Sequence, residues 1–490
     1  MSCGYAWLLE KFGLSALSLI VPAQASGGVS RLAPTVTALL VPTRMLPGDD
    51  DIVGHLAFAV KHEGINLEVL SQVLPLVDAS ALQRKINERP SSGPIRKLAY
   101  LWEAFTGQRL DNSRSQGNYI ALFDAEKYFT GPERQIPRWR ILYNGLGPLN
   151  YCPTVRKTSS LSEEKISEVF DQLREKLSIV DPVLLQRASE WAYLSETKSS
   201  FEIEKESPSG DKMHRFIQLL KQAASTARLD EEALCNIQND VVSNVFAKEF
   251  AYRSTQNWLA NSGRSGAARV TYVPPSPEAL DDLMQGLLEI VNSPEGSINP
   301  LVAAGVSSFG FVYLHPFSDG NGRISRFLIH QQLNRRHAIP QNYIVPVSAV
   351  MLKHELKYLQ ALESFSAPCR MLWTVIFIDR GEYEFRFNGS DATYRFWDAT
   401  AQCEFLLEMV DGAVGSYLSD ELAFLERYDK IYRSLNARFD VIQKDLDLLV
   451  ASSIEAGRVS KNLKKKYQFK VPEAFFPALE ELLADKGEEP

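Results

Sequence analysis

HPFSDGNGRISR, residues 315–326, is the stretch from which the rest of the chain can be read. Gly320 and Gly322 flank Asn321, and glycine reaches backbone conformations closed to most side chains. Successive amide groups in such a turn can converge on one anion. The residues that follow have helical spacing, so the first amides and the dipole of a new helix aim at the same point. Arg323 and Arg326 stand three apart and share a helix face. Two guanidinium groups beside an anion nest suit a ligand with several phosphates. Asp319 is a hard oxygen ligand next to the nest, suited to Mg2+ bridging phosphate oxygens. His315 ends the preceding apolar segment, and a neutral imidazole there can take a proton from an attacking hydroxyl. Together these are the parts for phosphoryl or nucleotidyl transfer, where positioning and charge stabilisation supply most of the catalysis. A lone His-Pro or G-x-G is ordinarily a helix stop or a turn; here every part serves one phosphate-binding geometry. The Walker pattern G-x-x-x-x-G-K-[ST] is absent.

The chain around this string has 490 residues, a length that suits about three domains. Its 45% hydrophobic and 23% charged residues are those of a globular protein, which excludes a disordered, collagenous or coiled-coil chain. A net charge of −7 disfavours a general nucleic-acid binder. The five cysteines form no C-x-x-C pair, so neither a disulfide framework nor a structural zinc site is expected, and a reducing cytoplasm is the simplest location. No apolar run is long enough to span a membrane. The segment GLSALSLIVPAQA (13–25) mimics a signal-peptide core and cleavage site, but Glu10 and Lys11 precede it and a basic start is missing.

The string resembles the motif of the Fic family, H-P-F-x-[D/E]-G-N-G-R-x-x-R, at every fixed position. The resemblance implies a mainly α protein with an all-helical Fic core, placed at 210–370, that transfers AMP from ATP to a Ser, Thr or Tyr hydroxyl of a target protein. It implies His315 as general base and Asp319 as the Mg2+ ligand. The Gly320, Asn321 and Gly322 backbone, with the Asn321 side chain, would form the anion hole, and Arg323 and Arg326 would bind the outer phosphates. One class of the family carries an inhibitory motif, [S/T]-x-x-x-E-[G/N], on a helix before the core. Ser200 and Glu204 match it within a segment placed at 156–209, while Lys205 departs from the Gly or Asn. By resemblance Glu204 pairs with Arg326, a bidentate contact, and ATP then binds unproductively. A β-hairpin flap also precedes the family's active site and clamps the target by main-chain pairing; Val270, Thr271, Tyr272 and Val273 stand where its strand belongs. Tyr358 falls where relatives place an aromatic near the nucleotide base.

The flanks carry no chemical motif. Residues 1–155 alternate apolar runs with turn signals and read as a mixed docking module, with helices at 52–64 and 95–107. Ser160 and Glu163 read as a capping box, and Pro182 as the first residue of a helix. NPLVAAGVSSFGFVYL (299–314) reads as a buried helix. His330, seven after Arg323, shares that helix face or is structural. Residues 371–490 read as a β-like stretch and then helices, winged-helix-like in one reading, with Lys464 to Lys466 on a solvated face. Self-modification and a homodimer stay open as partners. So do a Fic enzyme using another nucleotide, removing AMP or phosphorylating, an ATP sensor without turnover, and a DNA-binding regulator.

Overall fold

The computed structural model describes residues 1–19, 21–113, 116–223, 227–242, 247–340, 343–379 and 381–484. Ile20, residues 224–225 and 243–246, and Arg380, each within an expected element, lie outside the described residues. Five helices build most of the N-terminal part: α1 (Gly4–Phe12), α2 (Ile52–His62), α3 (Leu67–Val73), α4 (Ala79–Glu88) and α5 (Gly93–Thr106). Short strands complete it: β1 (Ala23–Ser26), β2 (Ala33–Pro34), β3 (Leu39–Pro42), β4 (Ile120–Ala121), β5 (Tyr128–Phe129), β6 (Arg134–Ile136), β7 (Ile141–Tyr143) and β8 (Val155–Arg156). They form two three-stranded sheets, β1-β3-β2 and β4-β7-β6, and the pair β5-β8. The Ala-x-Ala of the signal-like segment lies in β1, paired with β3, with Ala23 buried.

The helical core starts with α6 (Glu163–Ser178) and α7 (Pro182–Ile203). Ser162, not Ser160, caps α6, accepting from the Lys165 amide; the helix begins two residues later than a cap at Ser160 would set. Pro182 opens α7 behind the cap Asp181. Next come α8 (Gly210–Lys221), α9 (Glu231–Val241), strands β9 (Leu259–Ala260) and β10 (Val270–Tyr272), α10 (Pro277–Val291), α11 (Pro300–Leu314) and α12 (Asn321–Arg335). Helices α13 (Val347–Lys353) and α14 (Glu355–Met371) follow. Helix α11 is buried at every position except Pro300 and Val312, as its unbroken apolar sequence requires. It packs on α10 and α12, while α7 crosses α8, α12 and α13.

Beyond α14 lie the hairpin β11 (Trp373–Asp379) and β12 (Glu382–Phe387), then α15 (Ala392–Arg395), α16 (Thr400–Gly412), α17 (Leu418–Arg438), α18 (Gln443–Glu455), α19 (Lys461–Tyr467) and α20 (Phe475–Ala484). The expected border at 370 does not follow the packing. Ala399 to Leu418 share one apolar core with α10 to α12, and Ala392 and Phe396 join the core of the N-terminal part. Only Ile431 to Leu483 close a core of their own. Within 371–490, the range read as winged-helix-like, the strands are β11 and β12, and they pack apart from this core, whose described residues are helices and turns. Among the described residues, no helix is long and apolar enough to cross a membrane.

Candidate active site

His315 sits at the joint between the two central helices. It caps the C-terminus of α11 in the left-handed region, φ 49°, a conformation unusual for a residue with a side chain. Its Nδ1 lies 3.1 Å from the Val312 carbonyl. A carbonyl only accepts, so Nδ1 carries the proton and Nε2 keeps the lone pair a base needs. Burial, reinforced by the charge of Arg253, holds the imidazole down at about 4, although the Val312 carbonyl, Glu204 and Asp319 act the other way. The ring is therefore neutral at physiological pH.

Arg253 and Asn257 tie this turn in place, and sequence reasoning assigned neither a role. Arg253 is buried and donates from Nε to the His315 carbonyl (2.9 Å) and from Nη2 to the Pro275 carbonyl (2.6 Å). Asn257 Nδ2 donates to the carbonyls of His315 (3.3 Å) and Phe317 (3.2 Å). Both belong to an irregular segment whose bonds go to backbone oxygens, which leave no pattern in a sequence.

Gly320 is the N-cap of α12, with φ 89°, and opens the helix at the site. The Asn321 side chain does not line an anion hole as expected. Its Oδ1 accepts from the Phe317 amide (3.1 Å) and its Nδ2 donates to the Phe317 carbonyl (2.7 Å), so both ends of the amide brace the loop. Asp319 Oδ1 accepts from the Gly320 amide (2.6 Å) and from Arg323 Nη2 (2.8 Å). Its Oδ2 takes no hydrogen bond among the described residues. Those residues contain no cluster of three metal-ligating side chains. One partly open carboxylate fits Mg2+, which keeps waters and takes most of its protein-side contact through a nucleotide's phosphates.

The two arginines are almost fully enclosed, Arg326 at 0% and Arg323 at 1% exposure. Arg326 Nε donates to Ser200 Oγ (2.8 Å), and Nη2 to the Ser200 carbonyl (2.8 Å) and Glu204 Oε1 (2.8 Å). The Glu204 contact is thus one-armed, not bidentate; Ser200 takes the other side of the fork. A methyl group on Gly322 would lie 2.0 Å from Glu204 Oε1, so only glycine admits this carboxylate against the first turn of α12. Burial pushes the Glu204 carboxyl up, but Arg326, with help from Arg323 and His315, outweighs it and holds it below its ordinary range. Arg326 Nη1 and Arg323 Nε are buried without a hydrogen-bond partner among the described residues. Such orphaned donors carry a cost that an anionic ligand would remove.

Helix α7 ends in a closure that explains the motif position occupied by Lys205. The Lys205 amide donates to the Glu202 carbonyl (2.8 Å) and the Glu206 amide to the Phe201 carbonyl (3.1 Å), the two bonds of a Schellman motif. Its C′ residue must be left-handed, which favours Gly or Asn, and Lys205 takes it at φ 58°.

Two other expectations change, and His330 takes one of its two readings. Tyr358 is buried between Phe309 and Phe405, so its ring is covered rather than open to a base. Within the flap, Val270, Tyr272 and Val273 are buried, and the Tyr272 hydroxyl donates to the Tyr313 carbonyl (2.7 Å). Thr271 Oγ1 donates to the Leu259 carbonyl. The exposed strand of the flap is β9, antiparallel to β10, and two residues are too few to signal a strand. The β11–β12 hairpin packs over the flap through Trp373, Phe385 and Phe387. His330 is structural: its Nε2 lies 2.8 Å from the buried Glu196 of α7, which also accepts from the Ser348 amide (2.8 Å).

Residues 228–333, from just before α9 into α12, match the Fic/DOC family. The protein named "Protein adenylyltransferase Fic" of Nematostella vectensis is 36% identical over 85 residues, 17% of this chain and 18% of that protein. The protein of the same name from Drosophila willistoni is 42% identical over 65 residues, 13% of each. That of Aedes aegypti is 33% identical over 93 residues, 19% of this chain and 17% of that one. The chain thus matches less than a fifth of the length of these curated relatives. Among solved structures, a Fic family protein from Desulfovibrio desulfuricans G20 superposes with a TM-score of 0.40 at 17% identity, covering 64% of this chain and 89% of that one. A Fic domain containing signaling protein from Bacteroides thetaiotaomicron gives 0.38 at 19% identity, covering 53% and 95%. The segment that holds the His315 turn and the first turns of α12 therefore belongs to the Fic/DOC family.

Proposed function

We propose that this chain is a protein adenylyltransferase, moving AMP from ATP to a Ser, Thr or Tyr hydroxyl of a target protein, and that Glu204 holds it inactive. The observation that carries the reading is the Glu204 carboxylate lying against the first turn of α12 and on Arg326. A protein anion occupies the place to which amides, helix dipole and arginine would draw a phosphate. The names of the relatives that match this segment support the same chemistry.

In this reading His315 Nε2 accepts the proton of the target hydroxyl. The hydroxyl oxygen bonds to the α-phosphorus, and the bond from that phosphorus to the bridging oxygen of the β-phosphate breaks. Pyrophosphate leaves with the electron pair, its charge met by Arg323, Arg326 and the first amides of α12. Mg2+, when bound, neutralises phosphate charge, and Asp319 is the residue that would hold it. Arg253 and Asn257 keep the His315 carbonyl, and so the ring, in register with α12.

Labelled ATP tests the reaction class. Label at the α-phosphate is expected to enter target protein, and label at the γ-phosphate is not. Incorporation from γ-labelled ATP alone would replace AMP transfer by phosphorylation.

A further inference from the structure

Glu204 accounts for one of the two arginines. Arg323 is held as firmly, and by the same end of α7. The Schellman closure places three side chains on the catalytic helix within six residues. Glu204 reaches Arg326, the Phe201 ring lies under the Arg323 guanidinium with its centroid 5.3 Å from the central carbon, and Glu206 Oε2 accepts from Arg323 Nη1 (2.9 Å). Arg323 Nη1 also donates to the Val241 carbonyl (2.9 Å), and Nη2 to Asp319 Oδ1. Both terminal nitrogens are therefore occupied. Nη1 gives both of its hydrogens to protein oxygens, so a polyphosphate can take a contact from Nη1 only by displacing one of them. The Val241 oxygen is fixed by the backbone of α9, and Asp319 is the implied metal ligand. Glu206 is the displaceable partner: its side chain is 30% exposed and stands on a cap whose C′ residue is strained.

We propose that Glu206 is a second blocking carboxylate, which competes with the phosphates of a nucleoside di- or triphosphate for Arg323 as Glu204 does for Arg326. This rests on the reading of the site as a nucleotide site. It assigns inhibition to the whole C-terminal cap of α7, with one carboxylate for each phosphate-binding arginine. A Glu206 side chain removed from Arg323 opens one donor of that arginine, which keeps Val241 and Asp319, while Glu204 still sits on α12, so affinity for nucleotide and productive orientation become separable.

Calorimetric titration with ATP and Mg2+ tests this on the full chain as wild type, Glu206→Gln, Glu204→Gly and the double variant, with thermal unfolding of each as the check on folding. Glu206→Gln is expected to bind ATP about tenfold more tightly than wild type, the effect of freeing one charge-assisted contact. The gain is expected to persist in the Glu204→Gly background and to vanish when Arg323 is replaced by Ala. Unchanged or weaker binding by Glu206→Gln would overturn the proposal and make Glu206 a support for Arg323. A gain that survives Arg323→Ala would overturn it as well. Failure of every variant to bind ATP would sink the nucleotide-site reading itself, whereas binding by Glu204→Gly with no effect of Glu206 would sink only the second block.

Discussion

Replacing Lys205 by glycine is expected to tighten inhibition, although it removes a residue that touches no phosphate-binding group. Lys205 is exposed, and its side chain makes no hydrogen bond or ion pair among the described residues, so no contact is lost. What changes is the backbone. Holding a side-chain-bearing residue at φ 58° costs about 1–2 kcal/mol. Glycine removes that strain and loses roughly 0.5–1 kcal/mol through its freer unfolded chain. The net gain for the closed cap is on the order of 0.5–1 kcal/mol, a two- to fivefold shift towards the state with Glu204 on Arg326. Initial rates of protein labelling from α-labelled ATP read this directly. Lys205→Gly should label about two- to fivefold more slowly than wild type, with Lys205→Asn between them, because Asn tolerates the left-handed region. In the Glu204→Gly background the same change should have no effect. Labelling by Lys205→Gly as fast as or faster than wild type would refute the cap argument. A drop that persists without Glu204 would show instead that Lys205 acts on the nucleotide.

Two further predictions concern the His315 turn. In the ligand-free protein, nitrogen-resolved NMR should find the His315 imidazole neutral from pH 8 down to about 5, with a His315→Gln variant assigning its signal among the seven histidines. Because the folded value lies below the ordinary 6.5, the unfolded chain takes up the proton first; stability is complete above about 6.5 and is lost as pH falls towards 4. A midpoint near 6.5 would contradict the burial argument. Arg253→Ala removes a buried charge and strips donors from the carbonyls of His315 and Pro275, and should destabilise by about 3 kcal/mol and slow labelling. Arg253→Lys should not rescue it, since a point charge cannot reproduce the fork. A wild-type melting curve with wild-type labelling in Arg253→Ala would refute its positioning role.

The His315 to Arg326 string was legible because rare residues with one shared purpose are contiguous in the chain. The Glu204 contact was legible as a motif, and the structure adds the reason for its last position: a left-handed C′ residue. Glu206 was not legible. A glutamate in a segment rich in Glu and Lys looks like any solvated helix end until the closure of α7 turns it onto Arg323. Arg253 and Asn257 were hidden for another reason, since their partners are carbonyl oxygens that every residue carries. The flap shows how period alone misleads: Val270, Tyr272 and Val273 do form the extended segment, but Val270 and Val273 pack under the β11–β12 hairpin and Tyr272 in the helical core, leaving the two residues of β9 exposed. The border at 370 failed because the apolar spacing of α16 serves the shared core as well as it would serve a separate module.

The central claim, a nucleotide-transfer site held shut by its own carboxylate, is tested most directly by protein labelling from α-labelled ATP with wild type, Glu204→Gly and His315→Ala side by side. The account predicts weak labelling by wild type, stronger labelling by Glu204→Gly and none by His315→Ala. Equal labelling by wild type and Glu204→Gly would contradict autoinhibition through Arg326, and labelling that survives His315→Ala would contradict the chemistry assigned to the site.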